Sequence, residues 1–305
     1  MPDVHILCSP PSRVLLATDL IDLNQVLPVA VAYAQKFKAE LQIAHILPDA
    51  ECPDIDPYLV HDDRAALERH AGKRLETAVE TAAKAGVPCS AIVRSGRTAE
   101  ALRKIVEEWK PDRVIVGCGR QKYDRHILGS TAEAIMRALD TPVIAISPSA
   151  IEHRGLTGPK PRILFAADLD RESTAIARSV VECAQSHHAD LTILHVVPEN
   201  AEDAVALGRR SDAERMFQEI FAGMLPEGPR PVSKIEQGSV VETILRIAQQ
   251  EHADLIVLGG MTASSLRRGG PLGIAYGVLS GALCPVLTLK AESHAESEQE
   301  SVATS

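Results

Sequence analysis

The sequence repeats itself, and that limits what it can fold into. Arg13-Val-Leu-Leu-Ala-Thr-Asp19 returns as Arg162-Ile-Leu-Phe-Ala-Ala-Asp168, an offset of 149. Glu40 to Pro48 returns as Asp190 to Pro198, an offset of 150. Gly96 answers to Gly238 and Asp112–Gly117 to Asp254–Gly259, both at 142, and Pro142-Val-Ile to Pro285-Val-Leu at 143. Ordered matches of this kind mark an internal duplication, and 305 residues is the length of about two domains. The fall in offset from 150 to 142 shortens the middle helix or its loops in the second copy. The Gly- and Pro-rich run Pro148 to Lys160 reads as the linker.

Within each copy, short apolar runs alternate with helical spacing. In the first, Arg13 to Asp19, Leu41 to Leu47, Val87 to Arg94, Val114 to Val116 and Val143 to Ile146 read as strands. Val26, Ala30, Tyr33 and Phe37 form one helical face. Leu67, Ala71, Leu75, Ala78 and Ala82 form a second, stopped by Gly86. Leu102, Ile105, Val106 and Trp109 form a third, and Ile135, Met136 and Leu139 a fourth. Strands alternating with helices imply βαβ units, right-handed crossovers and a parallel sheet. The fold class is therefore α/β, two tandem Rossmann-like domains.

The most informative stretch is Asp112 to Ser147. A β-branched run ends at Gly117, and Gly117 and Gly119 are expected to free the backbone for a tight turn. A polar loop then leads to Gly129-Ser130-Thr131 at a helix start. Glycines after a strand, with Gly-Ser opening a helix, suit a phosphate cradle, because backbone N–H groups must come close to the anion. A tight turn and an ordinary N-cap are the plainer reading.

Gly119, nine residues, Gly129-Ser130 and the later Pro142-Val-Ile resemble the universal stress protein family. That family's signature is Gly, two residues, Gly, nine residues, Gly-Ser/Thr. This chain departs from it: Cys118 alone separates Gly117 from Gly119, and Lys122 stands where a further glycine is usual. The resemblance covers both copies. It implies the adenine nucleotide alpha hydrolase-like fold in each, five parallel strands of order 3-2-1-4-5 with helices on both faces. It places the first domain at 12–147 and the second at 161–290, with a leader at 1–11, the linker at 148–160 and a disordered acidic tail at 291–305. It also implies a crevice beyond the carboxyl ends of strands 1 and 4. There ATP, with Mg accompanying it, would meet Asp19, the Ile46 backbone, Gly117, Gly119, Gly129, Ser130 and Thr131. Pairing of Val143–Ile146 with Val286–Leu289 would make an internal pseudo-dimer, and further homodimerisation is conceivable.

Several nearby residues have two readings. Asp19 can accept from a ribose or an adenine amine, or cap the first helix. His45 and its twin His195 read as satisfied core residues. Arg120, Lys122, Arg125 and His126 would supply cations to the loop or simply face solvent. Cys118 reads as an inert thiol before a redox-sensitive one. In the second copy Thr262, Ser265 and Leu272 occupy the glycine positions and Gly273 the serine position. That copy is expected to keep the fold and Asp168 but to bind ATP poorly, with Arg267 and Arg268 leaving another anion open.

Composition excludes other classes. A formal net charge of −9 argues against a nucleic-acid partner. No apolar run nears the ~20 residues of a membrane span, and no secretory signal is visible. Six cysteines without a CxxC pair suit a reducing, cytoplasmic setting. There is no GxxxxGK[ST], no GxSxG and no zinc spacing. Nothing resembles a dedicated hydrolytic base, so the chain is expected to be no enzyme, or at most a weak, incidental ATPase. The expected function is nucleotide-dependent stress sensing. Its alternatives are a scaffold that binds no nucleotide and a receptor for some other small molecule.

Overall fold

The computed structural model describes residues 10–47, 64–118, 130–150, 157–167, 171–199, 203–222, 230–259 and 271–289. The first copy runs β1 (Arg13–Thr18), α1 (Leu23–Phe37), β2 (Glu40–Leu47), α2 (Arg64–Lys84), β3 (Cys89–Ser95), α3 (Thr98–Trp109), β4 (Arg113–Gly117), α4 (Ser130–Ala138) and β5 (Val143–Ile146). The second runs β6 (Arg162–Ala166), α5 (Arg171–Ser186), β7 (Asp190–Pro198), α6 (Asp203–Ala222), β8 (Val232–Gly238), α7 (Val240–Gln250), β9 (Leu255–Leu258), α8 (Pro271–Gly281) and β10 (Val286–Thr288). Residues 1–9 of the leader, the acidic tail and residues 151–156 of the linker lie outside the described residues.

All ten strands form one sheet, in the order β3-β2-β1-β4-β5-β10-β9-β6-β7-β8. Each half is parallel, and the halves join through the antiparallel pair β5 and β10, where Ile144 faces Leu287. Residues of β1 alternate between two cores: Val14 and Leu16 face α1 and α2, while Leu15 and Ala17 face α3 and α4. Both cores run through both halves. Phe165 and Ile193 belong to the first and Leu164 and Ile256 to the second. Two polar bonds cross the seam: Ser147 Oγ donates to the Ala282 carbonyl at 2.9 Å, and Thr288 Oγ1 to the Val143 carbonyl at 3.3 Å.

The duplication extends to the backbone. Lys38 and His188, 150 positions apart, both end a helix at positive φ, as do Lys110 and His252, 142 apart. Gly96 (φ 136°) and Gly238 (φ 153°) turn the chain from strand into helix at twin places, in a region that favours glycine. Asp112 accepts from the Ser12 and Arg13 N–H groups at 2.7 and 2.9 Å, and its twin Asp254 accepts from the Arg162 N–H at 2.8 Å.

One expected core residue is not in the core. Leu67 keeps the spacing of the α2 stripe but is 51% exposed. It lies one turn inside α2, and burial along that stripe begins only at Ala71. β3 also starts later than its apolar run, at Cys89 rather than Val87. Val87 instead bonds back through its N–H to the Ala82 carbonyl.

Candidate functional site

The order of strands reverses between β1 and β4, which opens a crevice beyond their carboxyl ends. The chain leaves β1 there through Thr18-Asp19-Leu20-Ile21-Asp22. Leu20 has φ 72°, uncommon for a side chain with a Cβ. Two local bonds hold it: the Leu20 N–H donates to Thr18 Oγ1 at 2.9 Å, and the Ile21 N–H to Asp19 Oδ1 at 2.8 Å. Burial of the Leu20 side chain, 6% exposed, adds to them. Asp19 therefore stands exposed at the rim, with one oxygen fixed by its own turn.

Asp22 is the residue that sequence reasoning missed. Its carbonyl accepts from the Gln25 and Val26 N–H groups, so it occupies the N-cap position of α1. Its side chain makes no capping bond. It turns over the floor of the crevice instead. A Cβ on Gly117 would lie 1.7 Å from Asp22 Oδ2. Burial, and then the charge of Asp19, push its carboxyl up to about 6. Thr18 Oγ1 donates to Asp22 Oδ1 at 3.4 Å. An acid at an N-cap position looks ordinary in sequence.

This corrects the role expected of Gly117. It is the last residue of β4 and has no left-handed φ. It is glycine because a carboxylate sits where a side chain would go. Cys118 follows, 7% exposed, with its N–H bonded to the Ile146 carbonyl at 2.9 Å. Burial and the Asp22 charge push its thiol up to about 12, so it stays protonated and unreactive at neutral pH.

β2 supplies the next wall. His45 Nδ1 lies 2.9 Å from the Thr18 carbonyl, and since a carbonyl only accepts, that nitrogen carries the proton. His195 Nδ1 repeats the bond to the Ala167 carbonyl at 3.1 Å. Both rings brace the first turn beyond a strand and are buried. Ile46 is one residue past the last β1–β2 pair, so its backbone reaches the crevice edge while its side chain is 8% exposed. Asp19, Ile46 and Gly117 thus come together. Gly119 and Gly129, with Arg120, Lys122, Arg125 and His126, lie outside the described residues. Ser130 and Thr131 form the first turn of α4.

The matching place in the second copy is built differently. A Cβ on Gly259 would meet Phe165 Cε2 at 3.1 Å and Ile176 Cγ2 at 3.2 Å. The floor there is apolar, and Phe165 fills it. Asp168, Thr262, Ser265, Arg267 and Arg268 lie outside the described residues. Gly273 is exposed within the first turn of α8.

The described residues of the first crevice offer hydrogen-bonding groups to an uncharged polar ligand. A rim carboxylate can accept from hydroxyls, and strand-end backbone offers both a donor and an acceptor. The described residues add no cation to hold phosphates, and among them no cluster of three His, Cys, Asp or Glu stands ready for a metal ion. Among the described residues no helix is long and apolar enough to cross a membrane.

Comparison with known proteins agrees with this architecture. The sequence model of the universal stress protein family matches residues 11–147 and 161–290. The universal stress protein Sll1654 of Synechocystis sp. (strain ATCC 27184 / PCC 6803 / Kazusa) is 28% identical over 131 residues, covering 42% of this chain and 83% of that protein. A crystal structure of a universal stress protein from Archaeoglobus fulgidus DSM 4304 matches with TM-score 0.69 at 20% identity, covering 94% of this chain and 99% of that one. PA1789 from Pseudomonas aeruginosa PAO1, a protein of unknown function, matches with TM-score 0.58 at 19% identity over 94% of each chain. At these identities the structural likeness speaks for the fold alone.

Proposed function

The chain belongs to the universal stress protein family, with two copies of its domain in tandem, and from that premise we propose a nucleotide-responsive protein with one binding crevice. The first copy takes the adenosine part of an adenine nucleotide, ATP in the first instance. Asp19 accepts from the ribose or base, and the Ile46 backbone lines the base. Gly129 and Ser130, where α4 begins, hold the phosphates. The second copy supports the fold. Binding, rather than turnover, is the output of the site.

The observation that carries this reading is the contrast between the two floors. Gly117 lies under a polar turn with an exposed acid at its rim, whereas Gly259 lies against Phe165 and Ile176. Among the described residues, the first floor carries the polar partners and the second is lined by apolar side chains.

Calorimetry of the full chain with ATP tests it. One site per chain is expected, with Asp19→Ala weakening binding about tenfold, the worth of one hydrogen bond involving a charged group. Phe165→Leu, which copies Leu16 of the first half, should leave the ATP site unchanged. Two equal sites, or no effect of Asp19→Ala, would overturn the assignment.

A second reading rests on Asp22. Its buried carboxylate beside Asp19 puts two acids where a polyphosphate would approach. That favours a member that binds no nucleotide and works as an interaction scaffold. Absence of adenine nucleotide from the purified protein, together with a flat titration, would select this reading.

A further inference from the structure

Where the halves meet, on the α1 and α5 side of the sheet, lies a cavity of about 30 Å³. One water needs roughly 10–15 Å³ on the same measure, so the space suits a single ion rather than a polyatomic ligand. Its walls come from both copies, and the duplication makes them comparable position by position. Tyr33 and Cys183 are twins, 150 apart, and so are Phe37 and His187. Arg113 and Leu255, 142 apart, are a third pair. All six line this one cavity.

The helical twins differ in what they can bind. In α1, positions i and i+4 hold Tyr33 and Phe37, whose ring centroids lie 4.8 Å apart. At the end of α5 the same two positions hold a thiol and an imidazole. The His187 N–H still donates to the Cys183 carbonyl at 3.1 Å, so the helical turn carries through to it. Residues i and i+4 of a helix stand side by side, with about 5–6 Å between Cβ atoms. Cys183 is a free thiol. Both residues are half-buried, which leaves an ion a way in. The Phe37 ring meets the His187 ring edge to face at 5.4 Å, so an aromatic pair of the first copy covers a ligand pair of the second.

Charge decides which ion fits. Arg113 already bonds the Asp112 carbonyl at 2.6 Å and the Tyr33 hydroxyl, so its donors are engaged while its charge remains. Lys36 adds a second positive charge near His187. Two fixed cations disfavour a divalent ion. A monovalent ion that replaces the thiol proton adds no net charge, and Arg113 favours the thiolate. Burial, with Lys36 and Arg113 nearby, holds His187 below its usual range, so the neutral ring has a lone pair to give. Thiolates select soft ions, and imidazole suits copper. A linear pair of donors is enough for copper(I).

We propose that Cys183 and His187 form a two-coordinate site for copper(I). The Cys183 proton leaves to solvent as the sulfur–copper bond forms. One imidazole nitrogen donates its lone pair, and the metal keeps its oxidation state. Phe37, Leu255 and Val257 supply the apolar side of the cavity, which shields the ion from water.

The test is an anaerobic titration of the full chain with copper(I) against a chromophoric copper(I) chelator, the other cysteines being kept in every variant. Cys183→Ala and His187→Phe, the second copying the twin residue, should each weaken the tightest site at least tenfold. X-ray absorption at the copper edge should show one sulfur and one nitrogen in the wild type, with the nitrogen lost in His187→Phe. Undiminished affinity in either folded variant would overturn the pair, and either variant decides the matter if the other does not fold. A shell of sulfur alone in the wild type would overturn it too. Zinc displacing copper(I) at equal concentration would overturn the assignment to a soft monovalent ion.

Discussion

Asp22 holds a proton over a pH range where an ordinary aspartate is ionised, and this has a measurable sign. Its carboxyl moves from 3.8 to about 6 on folding. Between those values the folded chain binds more protons than the unfolded one, so stability falls as pH rises through that window. Below about pH 4 the group is neutral in both states and contributes nothing to the slope. Above about pH 6 the full penalty is present, on the order of 2–3 kcal/mol. Asp22→Asn is therefore expected to be more stable than the wild type at pH 7 and equal to it near pH 4, measured by urea unfolding at both. Gly117→Ala probes the same contact from the other side. Its methyl claims a position 1.7 Å from Asp22 Oδ2, so the carboxylate must leave. A loss of about 1–3 kcal/mol is expected at pH 4, where Asp22 is neutral, together with a flatter stability profile between pH 4 and 6. An unchanged profile would show that the two residues are not in contact. Asp19 and Gly117 could be named from sequence because they end strands, and Ile46 through the family resemblance. Asp22 could not, because the direction its side chain takes depends on what lies across the sheet.

Helix α8 shows how one residue type serves different ends within an element. Gly273, Gly277 and Gly281 recur every fourth position, a spacing that places them on one face. Gly277 packs on Val241 of α7, where an added Cβ would meet both γ-methyls at 2.8 and 2.9 Å. Valine cannot rotate away easily, since one χ1 well dominates in a helix. Gly273 meets nothing within 4 Å. Gly273→Ala should stabilise by about 0.5 kcal/mol through helix propensity alone. Gly277→Ala should instead destabilise by about 1–2 kcal/mol, as the clash outweighs the propensity gain. Midpoints of chemical unfolding for the pair decide it, and a stabilised Gly277→Ala would mean that α7 and α8 lie farther apart than described. The period puts the three glycines on one face but does not say which one the neighbouring helix demands. Leu67 gives the same lesson in α2: its spacing is right, but only packing decides that burial begins a turn later.

As a whole, the molecule is one sheet with two cores, and each core passes through both halves. The halves should therefore unfold together. Leu287 on β10 is 5% exposed and faces Ile144 across the seam. Leu287→Ala is expected to cost about 2–5 kcal/mol. The single tryptophan, Trp109, belongs to the first half, on α3. Its fluorescence should report the same shifted midpoint as far-UV circular dichroism, although the substitution is in the second half. Separate midpoints for the two probes would mean that the seam does not couple the copies.

The sequence alone determined the duplication, the α/β class and the strand-end positions of Asp19 and Gly117. Those follow from local periodicity and from the order of repeated segments, which the chain carries regardless of how it packs. Tertiary structure decided the rest. It placed the Asp22 carboxylate against Gly117 and Phe165 against Gly259, and it brought Arg113 and Leu255 into one cavity. Each is a contact between segments distant in the chain or a choice of side-chain direction, and neither is fixed until the sheet closes and every buried group has a neighbour.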